Sequence, residues 1–120
     1  MCVLGLDHVQ VAMPPGGEER ARAFYGGVLG MPELPKPANR VARGGVWFAC
    51  GGHALHLGVE ADFRPARKAH PALLVEDLAA MLDACERGGF PTSRDEPLEG
   101  YEHAYVHDPF GNRIELMQRL

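Results

Sequence analysis

Residues 52–57 read Gly-His-Ala-Leu-His-Leu, and residues 111–116 read Gly-Asn-Arg-Ile-Glu-Leu. Set against each other, glycine meets glycine, Leu55 meets Ile114, Leu57 meets Leu116, and His56 falls opposite Glu115. Both stretches alternate apolar and polar positions, the two-residue period of a strand with one packed face. Each follows turn formers: Gly51-Gly52 in one case, Asp108-Pro109-Phe110-Gly111 in the other. Each therefore closes a hairpin, Val46–Cys50 with Ala54–Val59 and Tyr101–His107 with Asn112–Gln118. A repeated hairpin in so short a chain predicts two modules of one design.

Each hairpin is preceded by the same order of elements. Leu4–Met13 alternates as a strand and is broken by Pro14-Pro15-Gly16-Gly17. From Glu18 to Leu29 the positions Ala21, Phe24, Tyr25, Val28 and Leu29 form the apolar stripe of a helix that Gly30 can end. A short edge strand is expected near Glu33–Leu34, inside a Pro-rich loop that runs to Gly45. In the second half His70–Val75 reads as a strand, and Asp77 as an N-cap. Leu78, Met81, Leu82 and Cys85 then form a helical stripe that Gly88-Gly89 closes. A weak strand is expected around Thr92–Arg94. The reading is an α+β fold of two βαβββ modules, residues 1–60 and 68–120, joined by a polar connector into one domain. Its two curved mixed sheets are expected to enclose a cavity.

Composition narrows the function. The chain has 120 residues, a hydrophobic share of 46% and a charged share of 23%, ordinary values for a chain that folds around a core. The 15 glycines and 10 prolines suit many short elements. A net charge of −4 gives no electrostatic footprint for nucleic acid. No apolar run approaches the roughly 20 residues that span a bilayer, and Met1–Leu6 is too short and uncharged for a signal peptide. Cys2, Cys50 and Cys85 are odd in number and contain no CxxC pair, so a reducing cytoplasm is expected and a disulfide framework is not.

The repeat also places chemistry. Aligning the first strands sets His8 against His70, as the last strands set His56 against Glu115. First and last strands would share a sheet in each module, so two facing sheets would gather four ligand-type side chains. Imidazole and carboxylate together suit Zn, Ni, Co, Mn or Fe, and do not favour Ca or Mg. His53, His103 and His107 lie outside the pattern. Parity puts Gln10 with His8, and Met117 with Glu115. It groups Tyr101, His103 and Tyr105 on one face without saying which. Trp47 and Phe48 point to opposite faces, one core and one cavity. The expected pocket set is Gln10, Phe48, Tyr101, His103, Tyr105 and Met117. Arg40, Arg43, Arg64, Arg67 and Lys68 can meet an anionic substrate or can simply coat a solvated loop.

Four stretches together resemble the vicinal oxygen chelate superfamily, which includes glyoxalase I, extradiol dioxygenases, fosfomycin-resistance transferases, methylmalonyl-CoA epimerase and bleomycin-binding proteins. They are LDHVQVAM (Leu6–Met13), FYGGVLGM (Phe24–Met31), HPALLVEDL (His70–Leu78) and DPFGNRIEL (Asp108–Leu116). The resemblance implies that His8, His70 and Glu115 are ligands of one divalent metal ion. It puts His56 where glyoxalase I has a second carboxylate and the epimerase a glutamine. The implied chemistry is a glyoxalase-like lyase or isomerase: the ion chelates vicinal oxygens of a small substrate and stabilises an enediolate-type species, with Glu115 as the catalytic base. An extradiol-type dioxygenase with His8, His70 and Glu115 as facial triad is the first alternative, and a metal-free binder of the bleomycin-sequestering type the second. A homodimer is expected in either case.

Overall fold

The computed structural model describes all 120 residues and arranges the strands in two four-stranded sheets. Two units divide the chain, Met1–Arg64 and Pro65–Leu120, with one sheet in each. No helix is long and apolar enough to cross a membrane.

In the first unit β1 (His8–Met13) leads into α1 (Glu18–Ala21), which continues as a wider, π-helical stretch over Arg22–Val28. There Leu29 N–H donates to Phe24 C=O at 2.9 Å and Met31 N–H to Tyr25 C=O at 3.0 Å. The expected single α-helix thus loosens where Gly26-Gly27 sits, since glycine gives no side-chain packing to hold the tighter turn. Next come β2 (Glu33–Leu34), a single exposed turn α2 (Ala38–Val41), β3 (Val46–Cys50) and β4 (His53–Val59). The sheet order is β1-β4-β3-β2, with β1 parallel to β4 and the other pairs antiparallel.

Register decides which face does what. Val9, Val11 and Met13 pair with Leu55, Leu57 and Val59, and Leu55 and Leu57 pair with Phe48 and Val46. That face is the core: Met13, Phe24, Tyr25 and Phe48 are fully buried, with Phe24 and Tyr25 edge to face at 4.9 Å. The opposite face carries His8, Gln10, Trp47 and His56. β1 starts at His8, not at Leu4 as the alternation suggests. His8 already lies opposite Ala54, so earlier residues would face the turn at Gly51 and find no ladder partner. Leu4 and Leu6 are accordingly exposed.

The second unit repeats the plan. It contains β5 (Ala72–Leu74), α3 (Leu78–Arg87), β6 (Thr92–Ser93), β7 (Tyr101–His107) and β8 (Arg113–Arg119), in the sheet order β5-β8-β7-β6. Asp77 caps α3 by accepting the N–H of Ala80 at 3.0 Å. β5 is shorter than expected because Pro71 has no N–H to give to the ladder, which leaves His70 just ahead of the strand. Leu78, Cys85, Ala104, Val106, Ile114 and Leu116 form the core of this unit. The two registers correspond. Gln10 is the β1 residue opposite His56, Ala72 is the β5 residue opposite Glu115, and His8 and His70 each precede those positions by two.

Candidate metal centre and its surroundings

Each unit brings two of the four ligand-type residues together. In the first, the His8 and His56 rings stack at 4.1 Å, and the far side of His56 is covered by Trp47 at 4.0 Å and an interplanar angle of 2°. In the second, His70 Nε2 lies 3.0 Å from Glu115 Oε1. No group of three or more His, Cys, Asp or Glu side chains is arranged to hold an ion as placed.

The partners of these side chains separate them into two kinds. His8 Nδ1 bonds the Asp7 carboxylate at 2.9 Å, and His70 Nδ1 the Lys68 carbonyl at 2.8 Å. In His8 this leaves Nε2 for a ligand, whereas in His70 Nε2 is the nitrogen that faces Glu115 Oε1. Metal-binding imidazoles characteristically donate their other N–H to a carboxylate or a backbone carbonyl, which fixes tautomer and ring orientation. Glu115 Oε2 accepts from His103 Nδ1 at 2.7 Å, while His103 Nε2 donates to the Glu96 carbonyl at 2.6 Å. With both ring nitrogens donating, His103 is an imidazolium. The bonds to Glu96 and then Glu115 accordingly hold its pKa above the ordinary histidine range. His56 differs, since no hydrogen bond reaches its ring. Burial first, and the neighbouring His8 second, push its pKa down, which keeps it neutral.

The donor set fits a divalent transition metal. His70 Nε2 and Glu115 Oε1, an imidazole nitrogen and a carboxylate oxygen, stand side by side at hydrogen-bond distance, 3.0 Å, and are the donor types such an ion would take. The second oxygen of Glu115 is held from behind by His103, as ligating carboxylates generally are.

The expected pocket residues divide. Gln10 and Trp47 line a cavity of about 190 Å³ on the first unit. Phe48 does not belong to the pocket. It is fully buried in the core, 5.7 Å from the Tyr25 ring, because odd and even positions of β3 face opposite ways and Trp47 takes the open one. Tyr105 lies directly opposite Glu115, edge-on to His70 at 5.5 Å, with the Arg113 guanidinium 3.8 Å over its ring. Tyr101 and Met117 share that face, half-buried, opposite Arg119 and His103. His103 is 8% exposed and engaged at both nitrogens, so it backs Glu115 and does not line open space. Asp7 and the main role of His103 escape the sequence reading. The Asp-His dipeptide at 7–8 is a usable signal for the first, and nothing local signals the second.

Comparison with known proteins agrees with this architecture. Residues 5–116 match the family model described as Glyoxalase/Bleomycin resistance protein/Dioxygenase superfamily. A crystal structure assigned to the glyoxalase family, from Bacillus anthracis, is 46% identical, with a TM-score of 0.95 over 100% of this chain and 98% of that one. A glyoxalase/dioxygenase from Nostoc punctiforme shares the fold at 22% identity and a TM-score of 0.73, covering 92% of this chain and 89% of its own. The fosfomycin resistance protein FosX from Listeria monocytogenes shares it at 14% identity and 0.78, covering 99% and 96%. No curated protein matches the chain. With the family model spanning nearly its full length and the strand order repeated in both units, the chain belongs to the Glyoxalase/Bleomycin resistance protein/Dioxygenase superfamily.

Proposed function

We propose that this chain is a metal-dependent enzyme acting on a small substrate with two adjacent oxygens, most simply a glyoxalase-like lyase or isomerase. In this reading one divalent ion (Zn, Ni, Co, Mn or Fe) is held by His8, His70 and Glu115, with His56 as a fourth donor. The observation that supports this reading is that all three proposed ligands carry an outer partner: Asp7 on His8, the Lys68 carbonyl on His70, and His103 on Glu115. When bound, such an ion supplies Lewis-acid stabilisation of negative charge on substrate oxygen.

The remaining chemistry belongs to the chain. Glu115 is the catalytic base, a carboxylate able to take a proton from substrate carbon while the adjacent imidazolium of His103 balances its charge. His103 touches no substrate in this scheme and acts as a positioning residue. His56, kept neutral by burial between two rings, can accept a proton or serve as a fourth ligand. Its lack of an orienting hydrogen bond favours a second reading, an extradiol-type dioxygenase in which His8, His70 and Glu115 form the triad and His56 stays off the metal. A homodimer in the cytoplasm is part of both readings.

The test is elemental analysis of untagged protein, as purified and after reconstitution, beside His70→Ala and Glu115→Ala. Stoichiometric metal that both variants lose supports the proposal. Absence of metal even after reconstitution overturns it and leaves metal-free binding of a small molecule. Given metal, turnover of a methylglyoxal–glutathione adduct supports the isomerase. Oxygen uptake on a catechol panel instead overturns the isomerase in favour of the dioxygenase.

A further inference from the structure

The cavity on the first unit is lined by three cationic side chains. Lys36, Arg40 and Arg43 converge on it, and Gln10, Trp47 and Gly58 form its floor. The chain as a whole carries a net charge of −4, so three cations around about 190 Å³ run against the global balance. The turn α2 supplies Arg40, and Arg43 follows two residues past its end: Arg43 N–H donates to Arg40 C=O at 3.2 Å, and positions three apart stand on one side of a helical turn. Neither guanidinium has a carboxylate partner, whereas Arg22 and Arg87 are both ion-paired. Lys36 is tied to the loop by donating to the Gly44 carbonyl. The carboxylate beside that loop, Glu18, is itself committed to the Gly45 N–H at 2.9 Å.

The floor is equally specific. A Cβ at Gly58 would come within 2.4 Å of Gln10 Nε2, so the glycine is what lets the Gln10 amide lie flat across the sheet. That amide makes no hydrogen bond within the protein and can donate into the cavity. Two guanidiniums, an ammonium and an amide N–H are the donors that recognise an oxyanion with two or three equivalent oxygens. The volume is below the 300 Å³ or so typical of drug-sized ligands, which fits a headgroup and not a whole elaborate molecule.

We propose that Lys36, Arg40, Arg43 and Gln10 form an anion-binding subsite for a carboxylate, phosphate or phosphonate group. As a binding site it stands on the first unit alone. The further identification of that anion as the charged end of the substrate rests on the chelate reading above.

Trp47 is the sole tryptophan of the chain, so its fluorescence and its indole N–H resonance report locally on this cavity. Inorganic phosphate and acetate are titrated into the whole protein at constant ionic strength while both signals are followed. The expected result is a saturable change with one anion or both. Arg40→Gln combined with Arg43→Gln weakens it by about tenfold or more, and so does Lys36→Gln. Circular dichroism checks that these exposed substitutions leave the fold intact. No saturable change, or one that the substitutions leave untouched, overturns the proposal. His8→Ala and His70→Ala are titrated in parallel and are expected to keep anion binding. Failure of the metal reading in those variants is thereby separated from failure of this one.

Discussion

Glu115 Oε2 and His103 Nδ1 lie 2.7 Å apart across neighbouring strands, both side chains about nine-tenths buried, and the far nitrogen of His103 is tied to the Glu96 carbonyl. Glu115 pairs directly with Tyr105 and His103 with Met117, so the bond is diagonal and makes one connected unit of β7, β8 and the 96–98 loop. A carboxylate this buried keeps its charge only if charge-assisted donors replace the water it has lost. His103 is one of them.

His103→Ala removes that donor while leaving Glu115 in place. The expected cost is about 2–4 kcal/mol of stability, since a buried charge loses its partner. If Glu115 ligates a metal, affinity falls by about 10–100-fold as well. Denaturant unfolding measures the first and a competitive chelator titration the second. His103→Gln, which keeps one N–H donor, should recover part of both losses. A change in stability with no change in metal affinity would limit His103 to holding the fold.

Gly45 makes a second, purely structural prediction. Its φ is +87°, and a Cβ there would sit 2.2 Å from the Leu57 carbonyl oxygen, which is backbone and cannot swing aside. The residue immediately precedes β3, next to the Val46–Leu57 pair. Gly45→Ala should therefore cost about 3 kcal/mol or more from left-handed strain and displaced pairing. Gly51→Ala, also at positive φ but with open space around its Cβ position, should cost less. Thermal unfolding of the two variants side by side checks the order.

The same contrast between local and distant causes explains what could be read from sequence. The core faces were legible because Leu55, Leu57, Ile114 and Leu116 alternate with polar neighbours. The start of α3 was legible because Asp77 caps from one residue away. The face of β3 was not, since Trp47 and Phe48 are both large and apolar and only the packing of Tyr25 on one side decides between them. The turn α2 is too short for any period to show. The His103–Glu115 bond depends on how β7 and β8 are paired, which parity groups but does not orient. The sequence-stretch around His70 shows the opposite case: Pro71 was visible, and its missing N–H accounts for the shortened strand.

Glu18 gives a pH-dependent prediction. Its carboxylate accepts the Gly45 N–H at 2.9 Å, and that bond, with smaller help from Arg22 and Lys36, holds its pKa below the usual carboxylate value. A group whose folded pKa is depressed contributes stability that is present above its unfolded pKa, about 4.3 for glutamate. That contribution is lost as pH falls through the lower folded value. Glu18→Gln keeps an oxygen acceptor for Gly45 and removes the charge. Wild type should be more stable than the variant at neutral pH by under about 1 kcal/mol, given partial exposure. The gap should close on acidification, and denaturant midpoints measured down the pH series check it. A gap that is constant with pH would mean that the bond, not the charge, carries the effect.

Asp108 ties the β7–β8 turn together through both of its carboxylate oxygens. Its Oδ1 accepts the N–H groups of Phe110 at 2.9 Å and Asn112 at 2.8 Å, and its Oδ2 accepts from Asn112 Nδ2 at 2.9 Å. Asn112 is 1% exposed, and its Oδ1 in turn accepts the N–H of Ala66 at 3.1 Å, which pins the start of the second unit to the β7–β8 turn. Asp108→Ala strands two backbone N–H groups and an amide at once, and water reaches little of the site. The expected loss is about 2–4 kcal/mol, near the upper end for a polar turn residue. Asp108→Asn keeps one acceptor oxygen and turns the other into a donor facing the Asn112 amide, so it should fall between wild type and alanine. Because this turn carries no proposed ligand, metal stoichiometry in both variants should stay unchanged when measured on folded protein. Urea unfolding combined with elemental analysis tests both halves, and a loss of metal in folded Asp108→Asn would show that the turn also sets the position of Glu115.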